Sequence, residues 1–231
     1  MKKSYKLFVI LLSVLLITVY LPGCGGGANN GGGDNSVVDN SSSNSDGGNS
    51  SGNGGGSIQI PDEIQQLMDT SVSLATECAK QLDGEWGDMH ADMIASGDKD
   101  GYAGFDDMRA KLSDMITSSG ADYIYALYPT DPSDVEANFY ITVDGSAEPD
   151  DYGVEYEAEL GMVLSWQSGI PKTSSYGWGD DNGYHWSAYA PIHNSAGDVV
   201  AVLGLDYPAP IIADMPEWDV DSDSWNHFEW Q

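Results

Sequence analysis

Tyr184-His185-Trp186-Ser187-Ala188-Tyr189-Ala190-Pro191-Ile192, then His193-Asn194-Ser195-Ala196-Gly197, then Asp198-Val199-Val200-Ala201-Val202-Leu203-Gly204-Leu205-Asp206 is the stretch that decides the fold. Two runs of β-branched, aromatic and small apolar residues flank a five-residue loop of hairpin size. Side chains alternate across a strand, so Val200, Val202, Gly204 and Asp206 share one face of the second run. An acid at the end of that face is the feature around which the functional reading turns.

Upstream of this hairpin, Gly169-Ile170-Pro171 closes residues 154–166, which read as a short helical segment. Residues 144–151 form an acidic loop. Before it, residues 122–128 and 136–143 are two more strand-like runs around the turn signal Pro129-Thr130-Asp131-Pro132. Further upstream the period changes. Ile64, Met68, Val72, Ala75, Ala79, Leu82, Trp86, Met89 and Met93 recur in steps of three or four, one face of a long helix. Pro61-Asp62-Glu63 suits its start, and Gly84 with Gly87 marks a place where it can break. A Gly/Asp-rich loop leads to a second helix over residues 106–119, with Gly120 as its stop. Two helices, a hairpin, a crossover segment and a second hairpin predict an α+β domain, a long N-terminal helix packed on one antiparallel sheet.

The ends are different in kind. Lys2, Lys3 and Lys6 precede the apolar run 7–21, and Leu21-Pro22-Gly23-Cys24 follows it. A basic start and a short apolar middle are those of an export signal. Its last four residues resemble a bacterial lipobox, which implies cleavage after residue 23 and lipidation of Cys24. Residues 25–57 hold 12 Gly, 8 Ser and 7 Asn among 33 and cannot bury a core. As a coil they reach roughly 30 Å. The expected organisation is therefore a signal peptide over 1–23, a lipidated cysteine and linker over 24–57, a folded domain over 58–207 and an acidic aromatic tail over 208–231. Cys78, the other cysteine, falls near the helical stripe and reads as a buried small hydrophobe.

Eight basic residues face 37 acidic ones, a formal charge of −29, and only five of the basic residues lie beyond residue 57. No basic footprint exists for nucleic acid or for anionic lipid. Salt adaptation of the surface is the favoured reading of this acidity over attraction of cations.

The ordered set of segments resembles the Cache domains, PAS-like extracytoplasmic sensor modules. Tyr123-Ile124-Tyr125-Ala126-Leu127-Tyr128 is similar to that family's first strand. The 187–192 and 197–206 runs resemble its closing hairpin, and Trp178-Gly179 resembles a pair found in one branch. The likeness runs from about residue 61 to 207. It implies a pocket between the sheet and the crossover segment. In amino-acid-binding members an aspartate ends the last strand, matched here by Asp206, and Tyr176 and Trp178 fall where an aromatic and acidic pair would precede the third strand. The crossover helix of those members carries an arginine. Residues 154–166 have neither Arg nor Lys, and Arg109 is the chain's one arginine. A guanidinium clamp for a ligand carboxylate is missing.

Asp206 beside Tyr176, Trp178, Tyr189, and Tyr125 or Tyr140 would instead form a cage for an organic cation. The bland alternative makes Asp206 a turn cap and the tyrosines core. No histidine pair has metal-ligand spacing, and no Ser/His/Asp set can be placed together, so neither a cofactor nor catalysis is expected. Ser96-Gly97-Asp98-Lys99-Asp100-Gly101 and Asp219-Val220-Asp221-Ser222-Asp223 only partly mimic calcium loops and read as solvated turns.

No apolar run after residue 206 is long enough to span a membrane. The expectation is a lipid-anchored, extracytoplasmic sensor for a small organic molecule, with an amine as one candidate, acting through a separate membrane receptor or transporter. The alternative is a scaffold lipoprotein using Trp218, Trp225, Phe228 and Trp230 to bind other proteins.

Overall fold

A computed structural model describes residues 59–99 and 101–225. The export signal, Cys24, the linker, Phe228 and Trp230 lie outside the described residues. The described part belongs to one compact unit, 54–231.

Six strands form one antiparallel sheet: β1 (Tyr123–Pro129), β2 (Asn138–Asp144), β3 (Glu155–Glu157), β4 (Lys172–Asp180), β5 (Gly183–His193) and β6 (Val199–Pro208), in the spatial order β3-β2-β1-β6-β5-β4. Helices α1 (Asp62–Lys80), α2 (Glu85–Ser96) and α3 (Phe105–Ser119) cover one face. There Ala75, Leu82, Met93, Leu112 and Met115 pack on Ala188, Ala190, Ile192, Leu203 and Leu205. Helix α4 (Leu160–Ser168) covers the other face, where Met162 and Val163 join Leu127, Ile141, Tyr189 and Val202. Alternation along β5 and β6 thus feeds two cores, and the α+β expectation holds.

Four details depart from the sequence reading. The expected long helix is two, broken where Gly84 takes φ 82°. Asp83 and Asp88 at the break reach across to the β5–β6 loop: Asp83 Oδ1 accepts from His193 N at 2.8 Å and Asp88 Oδ1 from Ser195 N at 2.9 Å. Residues 154–166 are not one helical segment, because Glu155–Glu157 first pairs with β2 as a short edge strand. Strand β4 was not expected at all. Its Lys-Thr-Ser-Ser-Tyr-Gly-Trp-Gly-Asp sequence has little apolar character, but Gly183 at φ 136° turns it back onto β5. Finally, the tail is no free patch around Trp218. That side chain is 5% exposed and packs with Ile64, Met68, Trp186 and Ile212. Beyond it, Asp219 bridges to Gly177 and Val220 N donates to Gly177 O at 3.0 Å, covering part of the β4 edge.

Candidate functional site

The site is built on the α4 face of the sheet. Tyr125 of β1 and Tyr189 of β5 both stand opposite Gly204 of β6, and Tyr123 and Ser187 stand opposite Asp206. A Cβ at Gly204 would fall on the Tyr125 ring, with Cζ at 2.6 Å. The glycine admits a neighbouring tyrosine rather than an open space. Gly161 in the first turn of α4 has the same role for Tyr189, whose Cδ2 would lie 2.7 Å from an added Cβ.

Asp206 is 3% exposed and points inward. Its Oδ1 accepts from Ser187 Oγ at 2.6 Å and from Tyr125 OH at 3.3 Å. Trp178 Nε1 donates to Ser187 Oγ at 3.0 Å, extending the chain of bonds to β4. Burial pushes the Asp206 carboxyl up to about 7, the bond from Ser187 opposes the rise, and the charge of Glu159 adds to it.

Glu159 is the residue that sequence reasoning missed. It precedes α4 as its N-cap, its carboxylate accepts from Ser174 Oγ at 3.3 Å, and the hydroxyls of Tyr189 and Tyr176 lie near enough to favour its charge. Burial raises its pKa although these three hydroxyls favour the charged form. Burial and the two carboxylates together hold Tyr125 and Tyr189 well above the usual phenol range. Tyr176 is raised too, by burial and then by Glu159, and its ring meets Trp225 edge-on at 5.7 Å. The only signal for Glu159 was an acid just ahead of a helical run, which reads equally well as a surface cap.

The structure therefore brings Asp206, Tyr125, Tyr176, Trp178 and Tyr189 into one cluster. Tyr140 is elsewhere. It pairs with Tyr128 across β1–β2, at 6.0 Å between ring centroids, and meets Tyr152 at 5.6 Å. Tyr128 in turn meets His90 of α2 at 6.3 Å and Trp166 of α4 at 5.4 Å, and neither ring belongs to the Asp206 group. The β-bulge between Ala126 and Leu127 is what separates the two aromatic groups, since it shifts which residues share a face.

His185 lies on the same face of β5 as Ser187 and Tyr189. Its Nδ1 lies 3.0 Å from Asp122 Oδ2 and its Nε2 lies 3.0 Å from Asp180 Oδ1. Trp178 covers the ring at 4.5 Å and Tyr123 at 5.3 Å. Both nitrogens are already taken, so the ring offers no open bond to a ligand.

Asp206 and Tyr189 are buried, while Tyr125, Glu159, Tyr176 and Trp178 are half-buried. Two surface hollows, about 540 Å³ along the polar side of α1 and about 250 Å³ beside Asp180, Tyr184, Asp219 and Asp221, are lined by none of the predicted site residues. Among the described residues no group of three His, Cys, Asp or Glu side chains is placed to hold a metal. Asp98 Oδ1 accepts from Gly101 N and Asp219 Oδ1 from Asp221 N, so both acidic loops use carboxylates to close their own turns. No helix among the described residues is long and apolar enough to cross a membrane.

No family model and no curated protein matches the chain. Solved structures with a similar arrangement include the sensory domain of the Campylobacter jejuni chemoreceptor Tlp3, 12% identical over 63% of this chain and 55% of that one, with a TM-score of 0.38. A Tlp3 ligand-binding domain in complex with 4-methylisoleucine is 11% identical over 64% and 61%, with a TM-score of 0.34. The extracellular domain of a histidine kinase is 12% identical over 66% and 56%, with a TM-score of 0.38. The chain thus spans between 55% and 61% of the length of these structures. What it is similar to, in each case, is a sensory or extracellular domain of a chemoreceptor or kinase.

Proposed function

We propose that this chain is a sensor module of the Cache type that binds a small organic cation, an amine being the simplest, at the Glu159–Asp206 cluster. The observation that carries the reading is the buried Asp206 carboxylate with Glu159 acting on it, Tyr125, Tyr176 and Tyr189 around the two, and no lysine or arginine among them. Burying an acid such as Asp206 without a lysine or arginine partner lowers stability by several kcal/mol. A group that costs stability and sits among perturbed neighbours is the usual mark of a binding site. A ligand ammonium would supply the missing charge, and the tyrosine rings would supply π faces.

Export and anchoring through Cys24 on the extracytoplasmic side accord with the basic start, the apolar run and the Leu21–Cys24 motif. Such a module would pass its signal to a separate membrane receptor or transporter. The test is a thermal-shift screen at pH 8 with amines, amino acids and carboxylates. An amine above its dissociation constant should raise the midpoint in the wild type, and Asp206→Asn should abolish that rise. Silence from every class would leave no sensor reading.

A further inference from the structure

Glu159 holds the N-cap position of α4 and makes no side-chain cap bond to its own helix. Its one hydrogen-bond partner, Ser174, and the two hydroxyls that favour its charge, Tyr176 and Tyr189, all come from the sheet, from β4 and β5. Helix α4 is only nine residues long, has no titratable side chain and leaves Leu160 44% exposed. Glycines in the left-handed region lie on either side, Gly153 at φ 88° before β3 and Gly169 at φ 64° closing α4. A short helix lies over a buried acid, pinned at its open end by one carboxylate.

The groups that face the two acids come from every neighbouring element. Tyr125 (β1), His185 and Tyr189 (β5) and Glu159 face Asp206 or its hydroxyl partner. Tyr176 (β4) and Tyr189 face Glu159, while Glu157 acts on Tyr176 and Tyr156 on Tyr125 (both β3). The imidazole of His185 in this set is already held between Asp122 and Asp180.

We infer that Glu159 is a proton-gated latch: it holds α4 down over Asp206 while the two acids share a proton, and it releases α4 when both are ionised. With one acid neutral, the hydroxyls of Ser174, Tyr176 and Tyr189 satisfy the other, and the cluster stays shut. With both charged, their repulsion acts in a site of low polarity, and lifting α4 is the motion that lets water screen it. The direction for Asp206, raised to about 7, places the release near neutrality. The functional meaning rests on the binding reading above: an organic cation entering the opened site replaces the departed proton.

Hydrogen exchange of the full chain tests the latch without any ligand. After correction for intrinsic rates, amides of Leu160–Ser168 should be about tenfold or more less protected at pH 8 than at pH 5, the change expected for one pKa unit of coupling. Amides of β5 and β6 serve as the reference and should not follow. Glu159→Gln, which keeps an acceptor for the tyrosines, and Asp206→Asn should each remove the difference. Should Asp206→Asn fold poorly, carboxyl NMR of the wild type must show one of the two acids titrating near neutrality. Equal α4 protection at both pH values, a pH effect that persists in Glu159→Gln, or both acids titrating near pH 4 would overturn the latch. Equal protection or a persistent pH effect fails the latch and leaves the sensor reading standing, whereas both acids titrating near pH 4 would also remove a cation's reason to bind. A failed ligand screen likewise leaves the latch standing.

Discussion

Gly87→Ala should destabilise the domain by about 3 kcal/mol, read as a fall in urea midpoint at unchanged slope. Gly87 is buried in the first turn of α2, where an added Cβ would collide with the backbone of the β5–β6 loop. It would run into His193 O and lie 2.8 Å from His193 C and 3.1 Å from Asn194 N. Overpacking a core costs about 1–3 kcal/mol when side chains can move aside, and more when they cannot. Here every obstructing atom is main chain, which puts the clash at about 4 kcal/mol. Alanine returns about 1 kcal/mol through its better helix propensity. The loop cannot simply back away, because Asp83 holds His193 N, Asp88 holds Ser195 N, and Gly84 N donates to His193 O at 2.9 Å. An unchanged midpoint would mean that this helix-to-hairpin junction is loose, and the account of the α1–α2 break would go with it.

That junction also shows where sequence reading stops. The three-and-four spacing of Ile64 through Met93 announces a helical face correctly, since all nine of those residues are buried in or packed on the cores under α1 and α2. It cannot show that Asp83 bonds a residue 110 positions away. The β5–β6 hairpin was legible because its apolar alternation is strong and its loop short. Strand β4 was not, since its burial is supplied by partners: Gly177 lies against Ile212 and His185 O, and Trp186 Nε1 donates to Thr173 Oγ1 at 2.6 Å. Of the site, Asp206 was readable from its place at the end of an alternating strand. Glu159 was not, because an acid before a helix is ordinary, and only the fold aims it at Tyr176 and Tyr189 instead of at α4. Tyr140 failed for the opposite reason. Its sequence places it on a neighbouring strand, and a bulge at Ala126/Leu127 moves it out of the Asp206 group.

Asp206→Asn should change the stability difference from wild type by about 4 kcal/mol between pH 4 and pH 8. In the unfolded chain the carboxyl loses its proton near 3.8, and in the folded chain near 7. Between those values the folded state binds the extra proton. This acid's contribution is therefore complete below about pH 4 and is lost as pH rises through 7. About three pKa units at 1.36 kcal/mol each give the figure, and the side chain is buried enough for solvent to screen little of it. His90 works in the opposite sense. It is buried between Trp86 and Tyr128 with Nε2 2.9 Å from Thr142 Oγ1, and burial lowers its pKa from 6.5 to about 4. Its contribution is present above pH 6.5 and is lost as pH falls to 4, about 3 kcal/mol in all. Across pH 4–6.5 the two slopes nearly cancel in the wild type. Removing the Asp206 charge unmasks the histidine, so Asp206→Asn should gain stability on its own as pH rises through that window. The −29 background also titrates, but it is common to both proteins and drops out of their difference. Urea unfolding of the pair at pH 4.5, 6 and 7.5 in high salt measures it. A difference that does not vary with pH would mean Asp206 ionises like a surface acid, and the cluster would then lack the missing charge that gives a cation its reason to bind.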